Sequence, residues 1–233
     1  MAADPPALRQ LAVRRTARYL TMGVPSPATR ELWYVCHGYG QLAAEFIRDF
    51  AVLDDDSRLV VAPEALNRFY KNPEPSRHRI GGVGATWMTS EARELEIDDY
   101  VAYLDDLHAH LTADTVAGGA EPDSLRVRVL GFSQGAATAA RWVALGRVRA
   151  HELVLWGGLM PPDLSEEARR RLVGVPLTVV YGARDQYATP KVLGDEEARL
   201  ERLGFRPRRV IFDGGHRMDD DTLRALAAQS PAP

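Results

Sequence analysis

The sequence predicts an α/β fold, a mostly parallel twisted sheet with helices on both faces, and three observations predict it. Short apolar runs alternate with helix-patterned stretches through most of the chain. Several of the runs end in a glycine-containing turn: HGYG, GFSQG, WGG, YGARD and FDGGH. No repeat, low-complexity tract or shift in composition divides the chain, so residues 1–233 read as a single domain.

Taken in order, residues 13–22 alternate loosely and predict an edge-like strand, closed by Pro25 and Pro27. Glu31–Cys36 is a buried-strand pattern, and Gln41–Leu53 a helix with Leu42, Phe46 and Phe50 four apart. Arg58–Ala62 is a third strand, stopped by Pro63. Residues 64–90 mix prolines, glycines and aromatics without a period, which predicts a loop, and its aromatics suit a binding loop over the site. Glu91–Leu111 carries Leu95, Tyr100, Val101, Leu104, Leu107 and Leu111 at helical spacing. His108 and His110 sit two apart on that helix, on different faces, and read as solvated surface histidines. Strands follow at 126–130, 152–156, 176–181 and 208–212, with helices at 164–172, 190–203 and 219–228. Ser165 is placed as a helix N-cap with Glu166 and Glu167 in the first turn, and Gly204 as a helix-ending glycine.

The stretch RVRVLGFSQGAATAARW puts G-x-S-x-G between a strand and a helix, the setting of a nucleophile elbow. Such a turn holds Ser133 in a strained conformation with its hydroxyl above the sheet edge, and leaves room only for glycine at 131 and 135. A serine hydroxyl needs a base within hydrogen-bond reach, itself oriented by an acid. In an open α/β sheet these partners belong at the carboxyl ends of later strands. Asp185 follows the VVYG strand, and His216 follows VIFDGG. Asp213 is the rival acid, but three residues before His216 it is poorly placed to reach the imidazole. Two N–H donors are needed for the oxyanion of a tetrahedral intermediate. The backbone of Gln134, after the nucleophile, is one; Tyr39 in the HGYG turn is the other. His37 reads as a structural residue holding that turn, and Cys36 as a small core residue.

The motifs HGYG, GFSQG, YGARD and GGH, in this order and over nearly the whole chain, resemble the phospholipase/carboxylesterase family of α/β hydrolases. That family includes acyl-protein thioesterases and bacterial carboxylesterases. The resemblance implies an α/β-hydrolase fold with no inserted lid domain, a Ser133–His216–Asp185 triad, and oxyanion donors at Tyr39 and Gln134. Ala62-Pro63 and Thr86-Trp87 resemble family segments that place Trp87 beside the acyl or alcohol pocket; Phe69, Tyr70 and Met88 join it as candidate substrate-binding residues. Tyr39 stands where thioesterases carry Leu, and Gln41 where they carry Asp. The stretches RFYKNPEPS and GATWMTSEAR resemble a bacterial subgroup more than the eukaryotic thioesterases.

The expected activity is hydrolysis of short- to medium-chain or aromatic carboxylic esters through an acyl-enzyme. The alternatives are a thioesterase or lysophospholipase, an acyltransferase, or a non-catalytic binding protein on the same fold. No cofactor or metal is expected, because the chain has no P-loop, no G-x-G-x-x-G, no ligand cluster and one cysteine. With 45% apolar residues and a net charge of −3 it carries no nucleic-acid signature and no stable membrane-binding surface. Its first residues lack the apolar core of a signal peptide, which predicts cytoplasmic residence; the partner expected is a small-molecule ester, and a homodimer is left open.

Overall fold

The computed structural model describes residues 7–229. Seven strands form one sheet in the order β1-β3-β2-β6-β7-β8-β9. They are β1 (Tyr19–Met22), β2 (Glu31–Cys36), β3 (Arg58–Pro63), β6 (Arg126–Phe132), β7 (Glu152–Trp156), β8 (Leu177–Gly182) and β9 (Arg208–Phe212). All neighbours run parallel except β1, which pairs antiparallel with β3. The chain builds outward from β2 in one direction and from β6 in the other, so the winding reverses between them. Ligand-binding crevices form at such a reversal, at the carboxyl ends of the strands.

Beyond their charged amino ends the central strands are almost wholly apolar and buried, because both faces are covered. On β2, Leu32, Tyr34 and Cys36 enter one core, while Trp33 and Val35 enter the other. The first core lies under α3 (Arg93–Ala117), α4 (Gln134–Leu145), α5 (Glu166–Val173) and α6 (Pro190–Arg202). The second lies under α1 (Ala43–Phe46), the 3-10 turns after it, and α7 (Asp220–Ala227). Among the described residues no helix is long and apolar enough to cross a membrane.

Three stretches differ from the sequence expectation. The first strand is confined to Tyr19–Met22, and residues 13–18 are irregular. There Arg15 and Arg18 reach out to Leu66, Asn67 and Glu64 instead of joining a ladder. The stretch 41–53 is one α-turn followed by a 3-10 helix over Ile47–Leu53. Its buried residues Ile47, Phe50 and Leu53 are three apart, so a three-residue turn is the winding that keeps them on one face. Residues 64–90, expected as a loop, contain a hairpin of β4 (Asn67–Tyr70) and β5 (Val83–Thr86), with the short α2 (His78–Gly81) between them. Two four-residue strands are too short to leave a readable period.

Helix α3 begins at Arg93, after a left-handed Ala92, and runs on to Ala117. His110 is exposed beside Asp114, as a surface histidine should be. His108 is half-buried: its Nδ1 shares a 2.9 Å hydrogen bond with the Tyr34 hydroxyl, and its ring packs edge-on to Tyr34 and Trp142. Two residues on one helix thus part company because one faces the sheet. Ser165 caps α5 through Ala168 N–H, and Thr189 and Asp219 cap α6 and α7 in the same way.

The end of the sheet remote from the site is tied by one buried cation. Arg128, 1% exposed, pairs with Glu31 of β2 and Glu152 of β7, each at 3.0 Å. Its guanidinium also donates to the carbonyls of Leu226 and Gln229, closing the C-terminal end of α7. Truncating Arg128 to Met should cost about 3–5 kcal/mol, because it leaves buried Glu152 without its cation and the last carbonyls of a helix without their donor. A denaturant melt of Arg128→Met within 1 kcal/mol of the parent would refute this.

The 131–135 turn is limited by backbone contact. A Cβ on Gly131 would stand 2.0 Å from the Gly135 carbonyl oxygen, and one on Gly135 would stand 2.1 Å from that of Cys36. Neither obstacle is a movable side-chain end. Gly135→Ala should therefore destabilise by about 3 kcal/mol, the upper part of the range for overpacking. An unchanged urea midpoint would show that α4 can back away from β2.

Candidate active site

Ser133 occupies the turn between β6 and α4 with φ 54° and ψ −117°, a conformation that costs a non-glycine residue of order 1–3 kcal/mol. It persists because the neighbours over-determine it. Ser133 N–H donates to the Trp156 carbonyl at 2.8 Å, and its own carbonyl accepts from Ala136. The side chain lines an open cleft of about 380 Å³, together with Gly38, Tyr39, Gln41, Phe132, Gly157, Tyr187 and His216. Among the described residues the Ser133 hydroxyl makes no hydrogen bond.

Asp185 and His216 come together from the turns after β8 and β9. The Asp185 carboxyl is buried, with Oδ2 2.8 Å from His216 Nδ1 and Oδ1 accepting the Tyr187 N–H at 2.9 Å. A carboxylate accepts only, so Nδ1 carries the proton and Nε2 is left with its lone pair. The ring is gripped between aromatics: Phe132 lies against it at 4.7 Å, and Tyr187 meets it edge-on at 4.8 Å. Gly157 makes the space, since a Cβ there would come within 3.0 Å of His216 Cε1. Asp213 turns outward and pairs with Arg184 at the surface.

The turn after β2 stands next to the elbow because β2 and β6 are paired, with Cys36 opposite Gly131. A Cβ on Gly38 would lie 3.2 Å from Ser133 Cβ. Gln41 folds back so that its Oε1 accepts the Gly38 N–H at 2.8 Å. His37 is fully buried and holds the turn from below: Ala65 N–H donates to its Nε2, and its Nδ1 then donates to the Gly38 carbonyl. Burial lowers the pKa of this imidazole, against the opposing pull of the Gly38 carbonyl and of Glu64, so the ring stays neutral. Tyr39 is left projecting, stacked on Phe69 at 5.2 Å. Tyr39 N–H and Gln134 N–H, the latter at the start of α4, have no acceptor among the described residues.

The four residues considered for substrate contact are dispersed. Phe69 reaches the cleft only through its stack on Tyr39. Tyr70, next on β4, stacks flat on His78 instead. Trp87 is 1% exposed; its indole N–H donates to the His37 carbonyl and its ring packs on His37 and Tyr100. Met88 is half-buried, with its sulfur beside Arg141. Neither Trp87 nor Met88 lines the cleft.

Sequence reasoning passed over the side chains that set the frame. The Gln134 amide accepts from Trp87 N–H and donates to the Met88 carbonyl and the Thr86 hydroxyl, which fastens the 86–88 segment to the elbow. Gly40 N–H to Ala85 and Ala85 N–H to Gln41 fasten the hairpin to the first turn. Tyr187 was readable only as a loop residue two positions after Asp185. The paired glycines at 157 and 158, at a strand end, are the one signal that could have marked close approach.

Neutral His37 has a consequence for stability. The unfolded imidazole takes up a proton near pH ~6.5, whereas the folded ring resists it, so the unfolded state binds more protons and stability falls as pH drops below that value. His108 and His151, also lowered by burial, add to the slope. Unfolding free energy measured from pH 7.5 to 5 should decline, and less steeply in His37→Gln. Parallel profiles would remove His37 from the linkage.

No family model matches the chain, and neither does any curated protein sequence. Solved structures do. Esterase PE8 superposes with a TM-score of 0.66 at 23% identity, over 92% of this chain and 97% of that one. Acyl-protein thioesterase 2 of Zea mays gives 0.64 at 20% identity, over 91% and 99%. A phospholipase/carboxylesterase from Dyadobacter fermentans gives 0.59 at 18%, over 92% and 96%. Likeness at such identities speaks to architecture. With its parallel sheet, its reversal between β2 and β6 and its strained serine after β6, the chain has the α/β-hydrolase fold.

Proposed function

We propose that this protein is a serine carboxylic-ester hydrolase, with Ser133 as nucleophile, His216 as base and Asp185 as its orienting acid. The observation that carries the reading is the 2.8 Å bond from buried Asp185 to His216 Nδ1, which leaves Nε2 free in the cleft that Ser133 lines. Ser133 Oγ attacks the ester carbonyl carbon as its proton passes to His216 Nε2. The carbonyl oxygen takes the negative charge, and the N–H groups of Tyr39 and Gln134 receive it. The bond from carbonyl carbon to alcohol oxygen then breaks, and His216 returns the proton to the leaving alcohol. Water, deprotonated by the same nitrogen, releases the acid from the acyl-serine. The resting serine need not touch the ring, since such contacts tighten when substrate is bound. The names of the superposable esterases and thioesterase support the same chemistry.

A fluorophosphonate probe should label the parent protein and not Ser133→Ala. Asp185→Asn should lower kcat by about 10⁴-fold, as loss of the correct imidazole tautomer does in such triads, with the fold intact by circular dichroism. Equal labelling of Ser133→Ala, or full turnover by Asp185→Asn, would overturn the assignment.

A further inference from the structure

Resting on the reading that Ser133, His216 and Asp185 cleave an ester, we propose that Tyr187 selects the leaving group, and that this group is an uncharged aromatic alcohol. His216 Nε2 must hand its proton to the alcohol oxygen, so that oxygen lies within hydrogen-bond reach of the ring. Whatever the oxygen carries is then held against the ring's own neighbours. Those neighbours are Phe132, which is buried beneath the ring, and Tyr187, which is 64% exposed and lines the cleft. Tyr187 is therefore the apolar surface that the departing alcohol meets.

The tyrosine is placed, not loose. Its N–H donates to Asp185 Oδ1, so the carboxyl that sets the His216 ring also sets the start of this side chain. Its ring stands at 73° to the imidazole. Tyr39, 63% exposed and backed by Phe69, stands across the cleft: it follows β2 while Tyr187 follows β8, with β6 and β7 between. Two exposed tyrosines therefore line the cleft from its two sides, and an aromatic group gains from stacked or edge-on contact with such a ring beyond area alone. Among the described residues no side chain of fixed charge lines the cleft; Arg184 and Asp213 satisfy each other outside it. A charged alcohol would find no counter-ion there.

The test compares benzyl acetate with cyclohexylmethyl acetate, leaving groups of equal size and similar reactivity that differ in flatness. The parent protein should favour the benzyl ester by about five-fold in kcat/KM, the worth of roughly one aromatic contact. Tyr187→Ala should bring the ratio near one, mainly by raising KM for the benzyl ester, and Tyr187→Phe should keep the preference. A ratio near one in the parent, or the same ratio in Tyr187→Ala, sinks this proposal while hydrolysis itself stands. Faster turnover of acetylcholine than of benzyl acetate would reassign the two tyrosines to a cation cage and overturn it as well. Failure of both acetates to react, with no fluorophosphonate labelling of the parent, overturns the hydrolase reading and this one together.

Discussion

Backbone contact at the 131–135 turn is the constraint on which the site depends. Gly131 and Gly135 sit so close to each other, and Gly135 so close to the end of β2, that α4 starts directly against the sheet. Ser133 then has one course between them, at φ 54°, above the strand ends. Strain of this kind survives only where packing on every side is stronger than the local preference. Buried Ala136, Ala139 and Ala140 supply that packing by letting α4 lie close on the sheet.

A second level of order follows from the reversal of winding between β2 and β6. Because those strands pair in register, the 37–41 turn is delivered beside the elbow without a long connection. The turn is then fixed from three directions: Gln41 within it, neutral His37 beneath it, and the hairpin edge at Ala85 beside it. The Gln134 side chain joins the hairpin exit to the elbow. Two N–H groups are thereby held near one cleft without contributing a single charge.

Charge is partitioned along the strands. At the amino ends, Arg128 gathers Glu31, Glu152 and the last carbonyls of α7 into one buried cluster. At the carboxyl ends the buried Asp185 carboxyl is engaged by His216 and the Tyr187 N–H. Since His216 lies a few residues before α7, the cluster at one end of the sheet also steadies the helix that leads away from the histidine at the other.

The sequence by itself determined the strand order's raw material and the proposed reacting groups. Period-free apolar runs mark strands buried on both faces, and G-x-S-x-G between strand and helix marks the elbow, because both are dictated by local geometry. Asp185 and His216 were legible for the same reason: each follows a strand end, where a parallel sheet gathers its side chains. Tertiary structure decided what depends on contact across the chain. It turned 41–53 into 3-10 winding to keep Ile47, Phe50 and Leu53 inward, and it folded the 64–90 stretch into a hairpin. It buried Trp87 beneath the 37–41 turn and left Tyr187 exposed against His216. Aromatic residues are alike in sequence; which of them meets solvent is settled only by what packs on the other side.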